Sequence, residues 1–121
     1  MIGLGVDAVD IARFRDTLQR TPSLRQRVFT PEELDLARSR GDDAATLAAR
    51  FAVREATMKA LGVGLGAFDF HDVSVRRSAS GEPQLEVTGR AAHLAAQKGV
   101  ATWRVSLSHT DLVAVAVVAA L

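Results

Sequence analysis

Bulky apolar residues alternate with small or polar ones at the start of the chain: Ile2, Leu4 and Val6 against Gly3, Gly5 and Asp7. A period of two predicts a strand, here with one bulky face and one nearly bare face that ends in a carboxylate. Asp10 is placed to cap a helix through IARFRDTLQR, where Ile11, Phe14 and Leu18 share a face and Thr21-Pro22 is the stop. Thr30, Pro31 and Glu33 then supply a cap, an N1 proline and a capping-box glutamate for a second helix. A third helix is predicted from about Asp43 to near Gly62, with Leu47, Phe51 and Met58 as its apolar stripe. Glu55 falls inside that stripe, about 40° from Phe51 and about 60° from Met58 on a helical wheel. Beyond the glycine-rich GVGLGAF, the alternating runs DVSVRR and QLEVT around SASGEP predict a β-hairpin. GRAAHLAAQKG reads as a short helix stopped by Gly99, and ATWRVSLS and LVAVAVVAAL as two strands joined through HTD. The last run is too short for a bilayer, which takes about 20 apolar residues, and is expected to be a buried strand. The order β-α-α-α-β-β-α-β-β describes an α+β fold, a mainly antiparallel sheet packed against helices.

With 121 residues, 48% of them hydrophobic, the chain suffices for a single small domain spanning 1–121. A core this modest favours walls borrowed from a neighbouring subunit, so oligomerisation is expected. The net charge of +1 argues against a protein that coats nucleic acid. Cysteine is absent, which excludes disulfides and thiolate chemistry and fits a reducing cytoplasm. No secretion signal and no membrane span is read.

Two acids occupy positions where acids are costly. Asp7 ends the glycine face of the first strand, and Glu55 lies on the buried stripe; each needs a compensating partner. Two oxygen ligands from separate elements, with no cysteine or paired histidines, suit a magnesium ion that takes its remaining ligands from water and phosphate. A competing reading pairs Glu55 with Lys59 as an ordinary i, i+4 ion pair and makes Asp7 a turn residue. Gly62, Gly64 and Gly66 can bring backbone close to a phosphate beside Lys59, or simply end the helix. In SLSHT, Ser106 and Ser108 share a strand face and His109 follows; without a nucleophile elbow they read as donors for an anion, not as a hydrolase pair. His71 and His93 read as solvated or core-edge histidines. Arg13, Arg15, Arg20, Arg25 and Arg27 are opposed locally only by Asp16 and form either a solvated face or a dock for an acidic protein.

Five segments in order, GLGVDAVDIARF, RVFTPEEL, LAARFAVREATMKALGVG, SGEP and VSLSHTDLVAVAVV, resemble the holo-acyl-carrier-protein synthases, the small 4'-phosphopantetheinyl transferases. The resemblance implies that fold and a magnesium-dependent transfer of the phosphopantetheine arm of coenzyme A to a serine of an acyl carrier protein, in fatty acid or polyketide synthesis. It implies Asp7 and Glu55 as metal ligands and Lys59 as the pyrophosphate lysine. Arg50, Phe51, Gly62, Gly64, Gly81, Pro83, Ser108 and His109 are implied to line the coenzyme A cleft, with Arg13 and Arg27 meeting the carrier protein. A homotrimer with interfacial sites is implied as well. The rival readings are a non-catalytic binding module and a metal-dependent phosphohydrolase. Two positions depart from the family pattern: Arg54 stands where lysine is usual, and Glu82 where the hairpin turn usually has a basic residue.

Overall fold

In a computed structural model describing residues 1–121, strand β1 (Gly3–Asp10) leads directly into helix α1 (Ile11–Arg20). There follow α2 (Leu24–Val28), α3 (Pro31–Arg38) and the long α4 (Asp43–Leu61). A 3-10 turn (Phe70–Asp72) precedes the hairpin β2 (Val73–Arg77) and β3 (Pro83–Val87), then α5 (Gly89–Gln97), β4 (Trp103–His109) and β5 (Val113–Ala120). The predicted order holds, with α2 as an extra short helix inside an arginine-rich stretch that has too few apolar positions to show a period. The antiparallel strands divide into two sheets, β1-β5-β4 and β2-β3. No helix is long and apolar enough to cross a membrane.

The caps form as their residue types dictate. Asp10 Oδ1 accepts from the Arg13 amide at 3.0 Å. Thr30 and Glu33 close a reciprocal capping box with Pro31 in the first turn. At the other end of α4, Gly62 takes φ of 68°, the left-handed geometry that ends a helix most cheaply with glycine.

The structure shows which faces of β1 and β5 are buried. The bulky residues of β1, Ile2, Leu4 and Val6, are exposed, and the glycine face packs inward. A Cβ built on Gly3 would lie 1.9 Å from the Ala60 carbonyl oxygen, and one on Gly5 1.8 Å from that of Ala56. The bare face is therefore filled by the backbone of α4, not left open for a ligand. β5 behaves likewise: Ala114, Ala116, Val118 and Ala120 are buried, while Val113, Val115 and Val117 face outward. Small side chains on both strands let the sheet approach α4 closely, and the larger ones form an apolar outer face. β1 also runs past Asp7 to Asp10, so Asp7 sits in mid-strand on the inward face.

α4 is buried almost all round, not along one stripe, because the three-stranded sheet, the hairpin and helices α1 and α3 all pack on it. Beyond Asp43 in its first turn, its accessible positions are Phe51, Glu55 and Lys59, four residues apart on one seam.

Candidate active site

The glycine contact is what assembles the site. Seating Gly5 on Ala56 places Asp7, two residues further along the same strand face, over the open seam of α4. Lys59 Nζ donates to Asp7 Oδ1 at 3.2 Å and to the Val6 carbonyl at 3.0 Å. Lys59 thus pairs across to the strand, and the i, i+4 pair with Glu55 does not form. Glu55 accepts no hydrogen bond and makes no ion pair. Burial pushes its carboxyl above the ordinary glutamate value, the Asp7 charge pushes it further, and Lys59 only partly offsets both.

A depression of about 270 Å³ opens on this pair, lined by Asp7, Asp10, Arg13, Phe14, Phe51 and Glu55 among others. Asp10 is committed to its cap, so Asp7 and Glu55 are the acids left facing the depression, and no group of three metal-ligating side chains exists. Two adjacent carboxylates repel each other and share the single charge of Lys59, and one of them has no donor. Their oxygen-only character fits a hard divalent cation completed by water and phosphate oxygens.

A second cavity of about 90 Å³ lies between α4 and the end of β4. Arg40, Arg50 and Arg77 line it with Thr46, Ser108 and His109, and no carboxylate does. Arg50 is buried, yet its Nε and Nη2 have no partner; only Nη1 donates, to the Thr46 carbonyl at 3.4 Å. Burial pushes this guanidinium down to about 10; the charge of Glu33 resists the fall, and Arg77, Arg40 and Arg54 add to it. Unsatisfied buried donors among like charges are the makings of an anion site.

The residues expected to line one cleft are thus dispersed in the protomer. Arg50, Ser108 and His109 meet in the arginine cavity, and Phe51 turns to the carboxylates. Pro83 and Glu82 border a third depression with Trp103 and Arg104. Gly62 and Gly64 lie in the exposed turn after α4, and Gly81 takes φ of 87° at the hairpin tip. Arg40 and Arg77 were not singled out from the sequence, because nothing local separates them from solvated arginines. Of the five N-terminal arginines, Arg15 pairs with Asp42 and Arg25 with Asp43. Arg13, Arg20 and Arg27 are exposed and make no ion pair.

Arg54, which stands where the family usually has lysine, is wholly buried in an ion pair with Glu33. Its Nη2 donates to Glu33 Oε1 at 2.7 Å and its Nη1 to Oε2 at 3.1 Å. The planar guanidinium meets the two carboxylate oxygens with two separate nitrogens, a fork that a lysine ammonium does not offer.

A carboxylate pair with a lysine, beside a separate cluster of arginines, equips a protein to handle phosphorylated compounds at two points. The chain belongs to the 4'-phosphopantetheinyl transferase superfamily, whose model matches residues 3–118. It is 48% identical to the holo-[acyl-carrier-protein] synthase of Streptomyces avermitilis, over 99% of this chain and 97% of that one. The fold is similar to that of the holo-[acyl-carrier-protein] synthase from Neisseria meningitidis, with a TM-score of 0.87, 28% identity and coverage of 98% and 96% of the two chains. The corresponding Helicobacter pylori enzyme, solved in complex with coenzyme A, matches with a TM-score of 0.83 and 29% identity, covering 96% and 97%.

Proposed function

We propose that the chain, as one domain over residues 1–121, transfers the 4'-phosphopantetheine arm of coenzyme A to a serine hydroxyl of an apo acyl carrier protein. The products are the holo carrier and adenosine 3',5'-bisphosphate, in support of fatty acid or polyketide synthesis. The observation that carries this reading is the Asp7, Glu55 and Lys59 cluster, held together by the seating of β1 on α4 in a chain of this superfamily. Coenzyme A and a cysteine-free chain both suit a reducing cytoplasm.

Asp7 and Glu55 would hold a magnesium ion, which when bound supplies Lewis acidity at the diphosphate. The serine oxygen attacks the phosphorus that carries the pantetheine arm, and the bond from that phosphorus to the bridging oxygen breaks. Lys59 stabilises the charge that collects on the leaving phosphate. Glu55, directly or through a bound water, accepts the serine proton. Arg50, Ser108 and His109 hold a phosphate of coenzyme A that does not react, and Phe51 offers an apolar wall. Gly62, Gly64, Gly81 and Pro83 border the nucleotide with backbone or small surfaces.

Arg13 and Arg27 present unpaired charge for the carrier's acidic surface. The outward faces of β1 and β5, with Leu4, Val6, Val115 and Val117, pack against other copies in a homotrimer. The separation of the expected coenzyme A contacts into three depressions favours a site completed at a subunit boundary.

Incubation with coenzyme A, magnesium and an apo carrier, followed by mass spectrometry, tests the reading. The carrier is expected to gain one phosphopantetheine. Coenzyme A cleaved without a carrier would identify a phosphohydrolase, and neither product would leave a binding module.

A further inference from the structure

Why Arg50 keeps two free donors in the interior follows from what its neighbours do. Glu33 is the acid whose charge favours the Arg50 guanidinium, against three arginines that oppose it. Nevertheless, Glu33 makes no bond to Arg50. Its Oε1 accepts from Arg54 Nη2 and from the Thr30 amide, the latter at 3.0 Å, and its Oε2 from Arg54 Nη1 and from the Val75 amide at 3.3 Å. Both oxygens are saturated. Arg54 Nη1 also donates to the Arg50 backbone carbonyl at 3.3 Å, so Arg54 bridges Glu33 to the Arg50 main chain. Arg54 Nε donates to the Phe70 carbonyl at 2.8 Å, and its guanidinium stacks over the Phe29 ring at 5.1 Å, which together fix it in place.

We infer that Arg54 is a positioning residue: by engaging both oxygens of Glu33 it withholds that carboxylate from Arg50 and keeps the arginine cavity open to an external phosphate. Without Arg54, a buried carboxylate loses its partner beside a buried guanidinium with unpaired donors, and the two collapse on each other. The anion site would then be occupied from within. The same hub binds the Val75 amide, and Arg77, two residues along β2 from Val75, is thereby set opposite Arg50. This inference rests on the reading that the cavity holds a phosphate of coenzyme A.

The test compares the wild type, Arg54→Met, Glu33→Gln/Arg54→Met and Arg54→Lys for binding of coenzyme A and of dephospho-coenzyme A by calorimetry, with thermal melts. Arg54→Met is expected to weaken coenzyme A about tenfold, the scale of one lost charge-assisted contact, and dephospho-coenzyme A much less. Removing the freed carboxylate in the double variant should restore coenzyme A affinity to within about threefold of wild type. A merely structural Arg54 predicts the opposite, a double variant no better than the single one and equal losses for both ligands. Should Arg54→Met fail to fold, Arg54→Lys decides: a selective loss of coenzyme A affinity supports the inference, and affinities unchanged or equally reduced overturn it. Arginine side-chain NMR reads the lock without any ligand. The Arg50 Nε–H should exchange more slowly in a folded Arg54 variant than in wild type, and no change would refute the inference. Equal wild-type affinity for the two ligands would sink the cavity's assignment instead, leaving the NMR comparison to judge Arg54.

Discussion

Glu55 carries a cost in the protomer that its proposed role explains. Its carboxyl is raised by burial and by Asp7, so the folded state binds its proton more tightly than the unfolded chain does. Stability is therefore lost as pH rises from the ordinary glutamate value of 4.5 into the raised range, and the loss persists at neutral pH. Glu55→Gln should raise the melting temperature at pH 7 without metal, lose that advantage in acid, and abolish transfer; a lowered melting temperature at pH 7 would contradict the account. Asp7, Glu55 and Lys59 were each legible in the sequence, because acids in apolar patterns and a lysine beside glycines stand out. Their pairing was not. Lys59 bonds Asp7, 52 positions away in sequence, and only the strand–helix contact decides that over the local Glu55. Arg54 was legible only as a departure from the family pattern; its pairing with Glu33, 21 positions away, is decided by the elements that enclose it. Its burial with Glu33 means that removing either partner alone costs about 3–5 kcal/mol, readable by chemical denaturation.

At the level of elements, β1 against α4 is the joint on which the site depends. Two glycines meet two alanine carbonyls with no side chain between them, so the joint has no soft part to yield. Gly5→Ala would force a methyl into the Ala56 carbonyl and is expected to destabilise the fold by about 3 kcal/mol or more, above the usual range for overpacking. In any fraction that folds, Asp7 would be displaced from Glu55 and transfer should fall with stability. Denaturant titration and an activity assay on the same sample measure both. Element boundaries were largely legible, since caps and stop residues act locally; Thr30, Pro31, Glu33 and Gly62 each did what their chemistry dictates. The inward face of β1 and β5 was not, because alternation shows that two faces differ without showing which is covered. Here close approach to a helix selected the small residues.

For the whole molecule, the valines turned outward on β5 and the aliphatics of β1 form a face that a lone protomer leaves in water. Val117→Asp should therefore yield monomers by sedimentation, with melting little changed below the assembly's own and transfer lost; a fully active monomer would contradict an interfacial site. Arg13→Glu should raise the KM for the carrier about tenfold or more while coenzyme A affinity holds, since this arginine has no internal ion pair to lose. Equal loss for both substrates would argue against a docking role. The strand order β1-β5-β4 has a further consequence. During synthesis β5 is the last of these three strands to leave the ribosome, yet it lies between the other two. Until it emerges, β1 and β4 have no hydrogen-bonding partner in common, and the sheet under α4 cannot close. The carboxylate pair, although Asp7 and Glu55 are translated early, would thus acquire its geometry only once the latest strand is inserted, so a nascent or shortened chain should be inert.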